Sequence, residues 1–233
     1  MKTVKESLTK RTKVVDLALS ADLLNLWYQT EFGHYIKERE LRVIADRFSQ
    51  LPGYRLLRLG ITSDPDSLEC FSQLHRFSLH PSEGNGSHAA LCDFIELPIP
   101  SGVIDVILMQ HVLEFSVAPK AVLSEASRVI MPGGHLLLFV FNPFGVHGVV
   151  KFPLQLFGQK AQYRFHSLRL GRVMDWLSLL SFEALGIYHV AHGAFGRFSK
   201  STGGVSRWEH WCQKVNLPFG NVYVIHGVKR ETQ

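Results

Sequence analysis

The residues best suited to chemistry in this sequence directly follow two short apolar runs. Gln110 and His111 follow the run from Val103 to Met109, and Asn142 follows the run from His135 to Phe141. An imidazole can hold a ligand or accept a proton, and an amide can orient a polar group of a substrate. The alternative for His111, an ordinary structural histidine, stays open at this point.

The two runs are predicted to be strands joined by a helix. The first is rich in β-branched residues, which is typical of a strand buried on both faces. Pro119 suits the first turn of a helix, and Pro132-Gly133-Gly134 ends that helix and turns the chain. A helix between two buried strands predicts a parallel βαβ unit. Apolar residues recur along the helix at helical spacing: Val122, Leu123, Ala126, Val129 and Ile130.

This unit resembles the segment from the fourth to the fifth strand of class I S-adenosylmethionine-dependent methyltransferases. The resemblance lies in Asp105, His111 to Glu114, Arg128 to Ile130, and Pro132 to Gly134, in that order. It implies an α/β fold, a Rossmann-like three-layer sandwich with a seven-stranded, mostly parallel sheet. The implied strand order is 3-2-1-4-5-7-6, with an antiparallel last strand. It also implies S-adenosylmethionine as cofactor.

Asp93 and Phe94 carry a second part of the resemblance. They follow a short predicted third strand, from Ala89 to Cys92, and open the segment Asp-Phe-Ile-Glu-Leu-Pro. In the family, the aspartate at this place accepts the adenine amino group and its neighbour packs on the adenine ring. The alternative is that Asp93 is a turn or cap residue where the strand meets a loop.

The first predicted strand, Tyr54 to Leu59, departs from the family. The family has an acid near the end of this strand and then glycines at alternate positions. Here Arg58 takes the place of the acid and Gly60 is the one remaining glycine. The resemblance still implies that Gly60, Ile61 and Thr62 hold the cofactor, together with Gln110 and His111, although Ile61 and Ser63 add side chains to this loop. His80 stands where a carboxylate for the ribose is expected.

Residues 1–50 are predicted to form an N-terminal helical extension covering the site, and residues 51–233 a methyltransferase-like domain. The helices expected in the extension run from Ala21 to Gln29 and from His34 to Phe48. Farther along the chain, His166 precedes a predicted helix, Ser167 to Leu180, and is a third candidate for contact with a substrate. The last strands are predicted at Phe182 to His192 and Asn221 to Lys229, with a long connection of unassigned role between them.

Composition sets broad bounds on the function. A chain of 233 residues with 46% hydrophobic and 19% charged residues is expected to fold around a sizeable core. The net charge of +5 tolerates an anionic partner without requiring one. Cys70, Cys92 and Cys212 have no metal-like spacing and favour a reducing, cytoplasmic location. We expect no metal site, and no apolar stretch is long enough to span a membrane.

The leading hypothesis is S-adenosylmethionine-dependent methyl transfer to a small-molecule acceptor. His111, Asn142 and His166 are the candidate residues for orienting the acceptor or taking its proton. The altered loop favours a first alternative, a catalytically inactive methyltransferase-like scaffold with a protein partner. The basic N-terminus favours a second, an RNA methyltransferase that binds nucleic acid. The sequence names neither the acceptor nor its methylated atom.

Overall fold

The structure is a computed structural model that describes residues 17–61, 66–81, 90–146, 148–149, 165–193, 211–212 and 214–231. A twisted sheet of seven strands organises these residues. The strands are β1 (Arg55–Gly60), β2 (His75–His80), β3 (Ala90–Leu91), β4 (Ile104–Gln110), β5 (Ile130–Phe141), β6 (Phe182–Val190) and β7 (Val222–Lys229).

The strand order is β3-β2-β1-β4-β5-β7-β6. Strands β1, β2, β3, β4 and β5 pair in parallel, and β7 runs antiparallel to both of its neighbours, β5 and β6. The predicted fold class, strand order and antiparallel strand are therefore confirmed.

The Pro132-Gly133-Gly134 segment is not the turn that the sequence predicted. Strand β5 begins at Ile130 and includes the segment, because Ile104 pairs with Ile130 and Val106 pairs next with His135. The residues between Ile130 and His135 therefore form a bulge opposite a single residue of β4. Gly133 has a φ of 77°, a left-handed conformation that suits glycine.

Among the described residues, the sheet is accompanied by the helices α1 (Leu17–Tyr28), α2 (Glu31–Arg47), α3 (Asp66–Glu69), α4 (Pro119–Val129) and α5 (Leu170–Leu179). Helix α2 begins three residues earlier than predicted, because Thr30 caps it. The Thr30 hydroxyl accepts a hydrogen bond from the Gly33 backbone N–H at 3.1 Å and donates one to the Trp27 carbonyl at 2.6 Å. This double contact fixes the turn between α1 and α2, so the two helices pack as a pair.

Strand β4 is the centre of the core. Its side chains from Val106 to Met109 are at most 1% exposed, as expected for a parallel strand covered on both faces. Helix α4 buries the apolar side that the sequence predicted, with Val122, Leu123, Ala126 and Val129 in the core. Within the described ranges, no helix is long and apolar enough to cross a membrane.

Candidate functional site

The candidate site lies at the carboxyl edge of β1, β4 and β5. Gly60 at the end of β1 pairs with Gln110, which pairs in turn with Phe139 of β5. The backbone N–H of His111 extends the row by donating to the Phe139 carbonyl at 2.9 Å. Chain connections leave β1 and β4 in opposite directions here, which makes the usual ligand crevice of an open α/β sheet. Gln110 therefore lies beside Gly60.

His111 is the centre of a buried charge network. Its ring lies between two carboxylates, with Nδ1 at 2.8 Å from Oε1 of Glu114 and Nε2 at 2.7 Å from Oε1 of Glu40. All three side chains are at most 3% exposed. We call His111, Glu40 and Glu114 the His111 network.

The carboxylates keep His111 protonated. Burial alone lowers the pKa of His111, but the Glu40 charge, hydrogen bonds from both carboxylates and the Glu114 charge together raise that pKa to about 10. A doubly protonated ring donates both of its N–H groups and has no lone pair with which to accept a proton. In this conformation His111 is therefore a buried cation, and its proposed catalytic role stays a prediction.

The His111 network joins three parts of the fold. Glu40 comes from α2, His111 and Glu114 follow β4, and the Phe141 N–H at the end of β5 donates to Oε1 of Glu114 at 2.9 Å. The Phe141 ring also stacks on the imidazole, with ring centroids 4.0 Å apart. The α1–α2 pair is thereby fixed over the carboxyl edge of the sheet. The predicted division of the chain at residue 50 stays a prediction.

Arg58 occupies the other side of the crevice. It is 3% exposed, and its Nε donates to Oε1 of Gln110 at 2.8 Å. Its guanidinium lies directly over Gly60, since a Cβ added to Gly60 would be 2.9 Å from the guanidinium carbon. Ile61 is fully buried, whereas Thr62 and Ser63 lie outside the described residues. The crevice thus has a buried cation where the family has an acid.

Asp93 and Phe94 differ sharply in exposure. The Asp93 carboxylate is exposed, and its Oδ1 accepts a hydrogen bond from the Ile95 N–H at 3.1 Å, which closes a turn. Phe94 is fully buried in the core. The turn alternative for Asp93 is therefore realised, and its exposed position also leaves it accessible to a ligand. The predicted adenine contacts of both residues stay predictions.

The side chain of Asn142 forms hydrogen bonds to backbone groups of nearby loops. Its Nδ2 donates to the carbonyls of Pro218 and Gly220 at 2.8 Å each, and its Oδ1 accepts from the Phe144 N–H at 3.1 Å. The amide therefore fixes the exit of β5 against the segment that enters β7. A direct contact of Asn142 with an acceptor stays a prediction.

His166 is close to the His111 network through the backbone. Its N–H donates to the Glu114 carbonyl at 2.6 Å, and its side chain is partly buried. Residues 151–164, which precede it, lie outside the described part of the chain. Within the described part of the chain, no group of three or more His, Cys, Asp or Glu side chains is arranged so that it could hold a metal ion.

Glu40 is the functional candidate that sequence reasoning missed. It lies between Ile36 and Ile44 on the buried side of α2, at helical spacing. A carboxylate in the middle of an apolar stripe needs a buried partner, and that requirement was the available signal. Its partner His111 is 71 residues away in sequence, so the pair could not be read from local spacing.

Comparisons with known proteins agree with this geometry. Residues 59–138 match the model of a family described as a methyltransferase domain. The structure of an S-adenosylmethionine-dependent methyltransferase from Thermotoga maritima superimposes with a TM-score of 0.65 at 17% identity, covering 88% of this chain and 93% of that one. The chain thus has the fold of class I S-adenosylmethionine-dependent methyltransferases, and about a third of its length matches a methyltransferase-domain model. The family match begins at Leu59, directly after the unusual Arg58.

Two other similar proteins broaden the comparison. YafS of Escherichia coli is 28% identical over 159 residues, which are 68% of this chain and 65% of YafS. The chain therefore spans about two thirds of the length of that relative. Geranyl diphosphate C-methyltransferase from Streptomyces coelicolor, crystallised with S-adenosylhomocysteine, has a TM-score of 0.59 at 11% identity, covering 84% of this chain and 80% of that one. The methyltransferase-domain match and neighbours of this kind imply S-adenosylmethionine as the cofactor.

Proposed function

We propose that this protein binds S-adenosylmethionine at the carboxyl ends of β1 and β4 and transfers its methyl group to a small-molecule acceptor. The observation that carries the proposal is the row of Gly60, Gln110 and His111 across the strand switch point of a methyltransferase-type sheet. When bound, the cofactor supplies a methyl group on a sulfonium leaving group, so the protein needs mainly to align the acceptor and exclude water.

The charges of the described residues fit this cofactor. The exposed Asp93 carboxylate suits the adenine amino group, and the buried Arg58 cation suits the carboxylate of the methionyl end. Gly60, Ile61, Thr62, Phe94 and Gln110 would complete the walls of the site.

Other residues of the chain would hold the walls of the crevice, contact the acceptor and exclude water. We assign His111 and Asn142 to holding the walls of the crevice, because the chain itself engages their polar side-chain atoms. The partly buried His166, next to Glu114, is the proposed contact with the acceptor. The α1–α2 pair, held through Glu40, would keep water from the reacting groups.

Calorimetric titration with S-adenosylmethionine and S-adenosylhomocysteine tests the proposal. We expect micromolar binding of both to the wild-type protein. Asp93→Ala should weaken binding by about 1–3 kcal/mol, because the adenine amino group loses its acceptor. Asp175→Ala, which removes an exposed carboxylate from α5, is the matched control and should bind like wild type. A folded protein that binds neither compound would contradict the proposal and favour the inactive scaffold.

An RNA acceptor is the second candidate function, favoured by a basic cleft at the edge strand β6. The cleft has a volume of about 500 Å³, and Arg42, Arg47 and Lys214 line it together with one acid, Asp46. Its position beside the end of β6 leaves it open to an extended anionic partner. Retention on RNA that falls steeply with added salt would favour this candidate over a small-molecule acceptor.

A further inference from the structure

The position of Arg58 in the crevice is set by the sheet. Arg58 and Gly60 lie two residues apart on β1, so they face the same side of the sheet. The Arg58 side chain runs forward along this side to the carboxyl edge, where Gln110 of β4 holds its Nε at 2.8 Å. That hydrogen bond fixes the plane of the guanidinium above the last residue of β1.

Gly60 has a specific reason to be glycine that does not involve a ligand. A Cβ at this position would lie 2.9 Å from both Cζ and Nη2 of Arg58, closer than ordinary contacts permit. Gly60, the one glycine that the loop retains, therefore leaves the space that the Arg58 guanidinium occupies. The arginine and the glycine form one arrangement together with Gln110.

The sign of the charge determines what this arrangement can recognise. The methionyl end of the cofactor carries both an ammonium and a carboxylate. A buried guanidinium repels the ammonium and attracts the carboxylate, and its planar fork matches carboxylate geometry. At low exposure, this discrimination is stronger than it would be in water.

We propose that Arg58, positioned by Gln110 and Gly60, recognises the α-carboxylate of the cofactor's methionyl end. The site would then select ligands by an anion at this end, the reverse of the charge preference that an acid on β1 would give. This inference rests on the proposed function, because it assigns one end of the same cofactor site.

Two ligands that differ only in the carboxylate test the proposal by calorimetry. They are S-adenosylhomocysteine and its decarboxylated analogue, S-adenosyl-3-thiopropylamine. The wild-type protein is expected to bind S-adenosylhomocysteine at least tenfold more tightly. Arg58→Gln should lose at least tenfold in affinity for S-adenosylhomocysteine and bind the analogue as tightly as wild type or more tightly. Gly60→Ala, whose Cβ would crowd the Arg58 guanidinium, should change each affinity in the same direction as Arg58→Gln does.

The possible outcomes separate this inference from the proposed function. Equal weakening of both ligands in Arg58→Gln would overturn the inference and make Arg58 a purely structural residue. Equal wild-type affinity for both ligands would also overturn it, while leaving cofactor binding intact. Binding of neither ligand to the folded wild-type protein would overturn both claims. If Arg58→Gln does not fold, Arg58→Lys, which keeps the charge and loses the fork, should show a smaller loss confined to S-adenosylhomocysteine.

Discussion

Glu114→Ala is expected to lower the free energy of unfolding by about 3–5 kcal/mol, because it removes one partner from a buried ion pair. Oxygen Oε1 of Glu114 accepts hydrogen bonds from both Nδ1 of His111 and the N–H of Phe141. Its loss would leave the imidazolium with Glu40 alone and the end of β5 with an unsatisfied N–H. The carboxylate is fully buried, so water could not replace it without a rearrangement of the core.

Urea unfolding measures this loss, and Glu183→Ala is its matched control. Glu183 also accepts a hydrogen bond from a cation, Nε of Arg230 at 3.0 Å, but both of those side chains are more than half exposed. Removing an exposed pair is expected to cost at most about 1 kcal/mol. Glu114→Gln should lower the free energy of unfolding by an amount between those of Glu114→Ala and Glu183→Ala. Glutamine can keep the acceptor for the Phe141 N–H, but it loses the charge. Equal effects of Glu114→Ala and Glu183→Ala would contradict the central place of the His111 network.

The second large expected effect is a loss of stability at alkaline pH. The pKa of His111 is about 10 in the folded protein and close to its ordinary value of 6.5 when unfolded. A raised pKa contributes stability that is fully present below pH 6.5, falls above it and is lost above pH 10. The free energy of unfolding should therefore fall with a slope of up to about 1.4 kcal/mol per pH unit between these values.

Comparison with His111→Gln isolates this contribution. The groups that face His111 are Glu40, Glu114 and the hydroxyl of Tyr28, which is 3.5 Å from Oε2 of Glu40. Burial also raises the pKa of Cys92, and it raises that of Tyr223, which adds alkaline sensitivity to both proteins. Urea midpoints at pH 6.5, 8 and 9.5 should fall more steeply for wild type than for His111→Gln. Parallel pH profiles would show that His111 is not held as a cation.

The parts of the fold that follow from local pattern were predicted well. The segment from β4 to β5 combines apolar runs, a proline at a helix start and helical periodicity, and each signal acts over a few residues. The Pro132-Gly133-Gly134 bulge was predicted wrongly as a turn, because its conformation depends on the pairing of β5 with β4. Turn-forming residues alone do not distinguish a bulge from a turn.

The site depended more on contacts that sequence spacing does not show. The neighbouring positions of Gly60 and Gln110 follow from the parallel pairing of β1 with β4. Glu40 was missed because its partner comes from a distant part of the chain. Asn142 was expected to point at a ligand, but the backbone of Pro218 and Gly220 holds its amide from another loop. Long-range polar contacts of this kind decide which candidate residues a ligand can reach.

A crystal structure of the protein saturated with S-adenosylhomocysteine tests the central claim most directly. We expect the compound beyond Gly60 at the carboxyl ends of β1 and β4, with its adenine amino group on Asp93. Its carboxylate should lie at a charge-assisted hydrogen-bond distance of about 2.7–2.9 Å from the Arg58 guanidinium. S-Adenosylhomocysteine bound elsewhere on the protein, or an empty crevice at saturating concentration, would contradict the assignment of this crevice as the cofactor site.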